Sequence, residues 1–185
     1  MDDFEALLKE ATRRLASDYF QLPVAGQDDA VYRERVYCYE LYHQLRLNWP
    51  VDSEYRLSGE VDKNGHPLIW GGRLDRVKPD FLVHVPGRMW NAVVMEVKPV
   101  TVDAMGLRKD LRTLTAFTQR PANYDRAILL VYGNGALRRV KQLASTLVAE
   151  RDERIDPTAV ELWIHSMPGE EAVAAGTINE VVLRK

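Results

Sequence analysis

Lys78-Pro79-Asp80-Phe81-Leu82-Val83-His84, followed by Val93-Val94-Met95-Glu96-Val97-Lys98-Pro99, is the stretch that decides how this chain folds. Residues 81–85 and 92–97 are apolar and rich in valine, and a segment with Pro86-Gly87 separates them. That pattern predicts two strands of a hairpin. A hairpin closed symmetrically about Arg88 sets Asp80 opposite Glu96, with Cβ atoms about 5 Å apart. Glu96 and Lys98 are two residues apart on one strand, so their side chains leave the same face. Both sit among valines and a methionine, where a charge is costly unless it is paired or used.

Paired carboxylates on adjacent strands are suited to a hard divalent cation, which takes oxygen ligands and keeps several waters. Asp80, Glu96 and the backbone carbonyl of Val97 would supply three ligands to Mg2+ or Mn2+, and the ion would acidify a bound water and neutralise charge on a phosphate. Lys98 would orient that water or stabilise the transition state.

The arrangement Pro79-Asp80, fifteen intervening residues, then Glu96-Val97-Lys98 resembles the PD-(D/E)xK nuclease superfamily, over roughly residues 32–132. The resemblance implies a restriction-endonuclease-like α/β/α sandwich with a central mixed sheet. It implies a metal-dependent nuclease, acting on DNA in defence, restriction or repair. It also implies an acid on the helix before the sheet. Glu40 matches that place, close on a helical wheel to Val36, Tyr37 and Leu47. A polar residue from the helix after the motif is implied as well. Arg108, Lys109 and Arg112 are the candidates, and Arg108 and Arg112 share a face suited to grip phosphates. A homodimer or a partner subunit is a further implication, because one centre cuts one strand.

Outward from the motif, apolar spacing predicts helices over 3–17, 32–47, 102–117 and 135–151. Strands are expected at 55–61, 127–132, 160–165 and 178–183. Residues 63–67 read as a turn and 68–70 as a strand start broken by Gly71-Gly72. The order is α-α-β-β-β-α-β-α-β-β. Without repeat or linker, residues 1–185 read as one domain, with the first helix appended to the core.

Simpler readings stand beside these. Asp80 would serve as a turn residue after Pro79, Glu96–Lys98 as an edge-strand ion pair, and Glu40 or Glu60 as solvated surface. His84 reads as a packing residue and Cys38 as buried rather than nucleophilic. Gly133-Asn134-Gly135 reads as a strand-to-helix turn capped by Asn134, since Arg138 stands where a dinucleotide-binding turn needs its third glycine. Zinc-ligand spacing and Ser-His-Asp patterns are absent.

The 185 residues carry 25 basic and 27 acidic side chains, a net charge of −2 that does not announce a nucleic-acid binder but leaves room for a local basic face. One cysteine cannot form an internal disulfide, and the chain opens without a signal-peptide pattern, so a cytoplasmic protein with no membrane partner is expected. The alternative function is a non-catalytic nucleic-acid-binding or assembly module on the same fold.

Overall fold

The computed structural model describes residues 4–61, 72–75 and 77–184. The turn expected at 63–67 and the strand start at 68–70 lie outside these residues. Helices α1 (Phe4–Arg13), α2 (Ser17–Phe20) and α3 (Glu34–Leu47) precede β1 (Arg56–Gly59), β2 (Phe81–His84) and β3 (Asn91–Pro99). Then α4 (Ala104–Thr118), β4 (Arg126–Tyr132), α5 (Ala136–Ala149), β5 (Val160–His165), β6 (Val173–Thr177) and α6 (Ile178–Leu183) follow. The six strands form one sheet in chain order. Strands β1, β2 and β3 run antiparallel, β3, β4 and β5 parallel, and β6 antiparallel to β5. This is a mixed α/β sheet.

Side-chain parity along the strands divides the core into two layers. On β3, Val93, Met95 and Val97 pack with α1 and α3, whereas Val94 packs with α4 and α5. Strand β4 alternates likewise, and its residues from Ala127 to Tyr132 are all buried, as expected for a parallel strand covered on both faces. Two successive parallel crossovers that advance in the same direction across a sheet put their helices on the same face when both have the usual right hand. α4 and α5 share a face here.

The hairpin register matches the sequence reading at its open end, where Phe81 opposes Met95; carried one residue outward, the same register sets Asp80 opposite Glu96. The register shifts between Val83 and His84, nearer the tip. The helix expected over 3–17 is shorter. α1 stops at Arg13, and the Leu15 N–H turns back to the Thr12 carbonyl while Leu15 stays buried.

Two expectations are corrected. Residues 178–183 are a helix rather than a strand, and the last strand is Val173–Thr177. Thr177 and Glu180 form a reciprocal capping box, and Ile178 and Val181, at helical spacing, are buried against α5. The cap of α5 is Gly135 in the left-handed conformation, not Asn134. The preceding Gly133 has φ +119°, and a Cβ there would stand 2.6 Å from Val100 Cγ1, so glycine is required for the close approach. Among the described residues no helix is long and apolar enough to cross a membrane.

Thr177→Ala is expected to lower stability by about 1 kcal/mol, read from urea denaturation. No measurable change would count against the capped α6.

Candidate functional site

The carboxyl end of β3 lies between the amino end of α3 on one side of the sheet and the first two turns of α4 on the other. Glu96 points to the α4 side and is 6% exposed. Asp80, just before β2, accepts a hydrogen bond from the Val97 N–H at its Oδ2, 2.8 Å away. In a strand the N–H and C=O of one residue face the same edge, so the Val97 carbonyl leaves β3 on the Asp80 side. The Asp80 and Glu96 carboxyls hydrogen-bond each other. Burial, then the charges of Asp80 and Asp110, push Glu96 well above the usual carboxylate range. Burial also raises Asp80, but the Val97 N–H and Lys98 oppose the shift. Glu96 is therefore the more readily protonated of the two.

Lys98 reaches past the end of the strand. Its Nζ donates to Glu34 Oε1 at 2.8 Å and lies 3.6 Å from Asp110 Oδ2. Its burial disfavours the charge, yet Asp110 and Glu34 outweigh that cost and hold the pKa above its ordinary value. Lys98 is a fixed ammonium. Asp110 is 1% exposed and its Oδ2 has no hydrogen-bond partner. Burial raises its pKa to about 6, against the pull of Lys98 and Lys109. Asp103 caps α4 by accepting from the Gly106 N–H at 2.7 Å, which fixes the helix end that carries Asp110.

Asp80, Glu96, Val97 and Lys98 thus meet where the sequence placed them. Glu40 does not join them. It accepts from Gln44 Nε2 at 2.6 Å, half-buried on another face of α3. Six residues along a helix rotate a side chain about 120° away from Glu34, and Glu34 is the acid that heads the buried stripe Tyr37, Cys38, Leu41 and Leu45. Asp110 lies within the apolar stripe Leu107, Leu111 and Leu114, and a carboxylate at that spacing was the unread signal. Arg108, Lys109 and Arg112 turn away from the site. They line a groove of about 570 Å³ with Arg73 and Arg154. There Arg108 pairs with Glu150, and Arg112 and Arg154 with Asp152.

The other residues follow the simpler readings. Cys38 is buried, and burial followed by the Asp80 charge pushes its thiol well up. Glu60 is exposed and pairs with Arg35 at 3.4 Å. His84 is half-buried, its Nε2 3.3 Å from Ser58 Oγ.

Four carboxyl groups around one ammonium leave an excess of negative charge that a proton on Glu96 only partly relieves. Among the described residues no three His, Cys, Asp or Glu side chains stand ready in ligating geometry. The donor chemistry nevertheless fits a hard cation: the Asp80–Glu96 pair, the Val97 carbonyl and an orphaned Asp110 oxygen are all oxygen ligands. Comparison with protein-family models, curated proteins and solved structures gives no match to this chain.

A buried acid with a raised pKa is favoured in its protonated form, so its contribution falls as pH rises from the unfolded value towards the folded one. Asp110→Asn is expected to gain stability on wild type as pH rises from about 4 to about 7. The gain is at most about 3 kcal/mol, for a shift of about two pH units. Thermal melts of both proteins across that range check it. The difference between them removes the opposing contribution of buried His165, whose pKa burial lowers to about 4. A constant difference would refute the assignment.

Proposed function

We propose that this chain is a divalent-metal-dependent phosphodiester hydrolase of the PD-(D/E)xK nuclease type, built on a restriction-endonuclease-like sandwich and acting on DNA. The observation that carries the reading is the convergence of Asp80, held by the Val97 N–H at 2.8 Å, the buried Glu96 and the Lys98 ammonium, paired with Glu34 at 2.8 Å, at the carboxyl end of a parallel strand. Open α/β sheets bind their ligands outside such strand ends.

Asp80, Glu96 and the Val97 carbonyl would hold the ion. When bound, Mg2+ or Mn2+ supplies the positive charge that acidifies water and offsets charge on the phosphate. Lys98 cannot act as a base at neutral pH, because its neighbours keep it protonated. Its role is that of a cation that holds the attacking water or the developing phosphate charge. Asp110, with an oxygen 3.6 Å from Lys98 that has no hydrogen-bond partner, could accept a proton released there. Glu34 holds the Lys98 ammonium in position. The groove of Arg73, Arg108, Lys109, Arg112 and Arg154 gives the backbone of a strand a cationic track beside α4. A cytoplasmic enzyme, working as a homodimer or with a partner subunit, belongs to the same proposal.

With Mg2+ or Mn2+, wild type is expected to cleave at least one substrate among plasmid, linear, single-stranded and branched DNA and RNA. Asp80→Ala and Lys98→Ala, each shown to be folded by thermal melt, are expected to lose about a hundredfold or more in rate. Absence of cleavage in wild type, together with absence of calorimetric heat on adding Mn2+, would overturn the proposal.

A further inference from the structure

On the α3 side of Asp80 lies a second cavity, of about 260 Å³. It is slightly below the roughly 300 Å³ at which pockets for whole small ligands begin, so it suits one ring system rather than a length of strand. Tyr39 and Tyr42 wall it from α3, and Phe81 stands behind, its ring 14° from parallel with that of Tyr42 at a centroid distance of 6.4 Å. Tyr42 is held by its hydroxyl, which donates to the Leu57 carbonyl at 3.4 Å. Tyr39 is 61% exposed at the mouth. Gly59 leaves the floor open: a Cβ there would stand 3.7 Å from the Tyr42 ring and 3.6 Å from the Asp80 carbonyl, an ordinary contact. Glu60 and Asp80 are among the residues that line it; the exposed Glu60 carboxylate, paired with Arg35 at 3.4 Å, keeps lone pairs that accept hydrogen bonds from neutral N–H groups.

We infer that this pocket receives one unpaired nucleobase of the substrate strand, stacked on Tyr39 and Tyr42 with its N–H groups directed at Glu60 or Asp80. The inference rests on the hydrolase reading, since Asp80 is shared between the pocket and the metal site. A base held there belongs to a nucleotide next to the reacting phosphate. A base inside a duplex cannot enter, so the pocket selects single-stranded or extruded nucleotides.

The test uses the full chain with Ca2+ and fluorescence anisotropy of labelled single-stranded DNA, either intact or of the same length without bases. Wild type is expected to bind the intact strand at least about fivefold more tightly, the lower end of what stacking one base on an aromatic side chain gives. Tyr39→Ala, at an exposed position, and Gly59→Val, which fills the floor, are each expected to abolish that preference and leave affinity for the abasic strand unchanged. Equal affinity of wild type for both strands, or a preference that survives both substitutions, would overturn the inference. If wild type still cleaves DNA and Asp80→Ala does not, the hydrolase reading stands without the pocket. If no strand is bound or cut, both fall.

Discussion

Everything at the carboxyl end of β3 depends on Asp80 and Glu96 facing each other across two strands. That opposition is a matter of register. Odd-numbered residues of β3 pack under α1 and α3, and Val94 and Glu96 face α4. A slip of one residue would drive Glu96 into the aromatic layer of Phe20, Tyr37 and Tyr132 and turn Met95 towards α4. Two buried faces therefore fix the register more firmly than one would. The irregularity between Val83 and His84 sits near the tip, where a shift leaves the Asp80–Glu96 pair untouched.

The pair makes chemical sense only with the layers above and below it. Glu34 comes from the first turn of α3, where the helix dipole favours a carboxylate. Asp110 comes from α4 on the opposite face. Lys98 reaches both, pairing with Glu34 and Asp110. Removing a single partner from such a buried cluster leaves another charge unpaired, and that costs more than the pair contributes. The cluster is thus tightly constrained in position and poorly neutralised in charge. Both properties suit a site that takes up a cation.

Much of this was legible in the sequence. Two valine-rich apolar runs on either side of Pro86-Gly87 mark the hairpin, and its symmetric register places Asp80 and Glu96 together. The helical acid was misread because Glu40 has apolar neighbours by wheel position, whereas the stripe that is buried runs through Tyr37, Cys38, Leu41 and Leu45 and leaves Leu47 exposed. Glu34 heads that stripe and could have been chosen by phase. On α4 the basic residues are the conspicuous charges, whereas Asp110 is a single carboxylate in the middle of the apolar face. Residues 178–183 looked like a strand because Ile, Val and Val favour extended structure. The Thr177–Glu180 capping box, together with burial against α5, outweighs that preference.

A net charge of −2 conceals how the charges are sorted. Acids converge at the strand end, and five cations line the groove along α4. Asp152 and Glu150 engage three of those cations, which keeps the guanidinium groups in place without neutralising the groove. Aromatic side chains, in turn, line the cavity on the other side of Asp80. A ligand with a charged backbone and neutral planar rings presents the same division of properties. A protein can hold such a ligand without a basic total charge, because what the backbone meets is the local field within a Debye length of about 8–10 Å. A bound cation would offset the acids of the site.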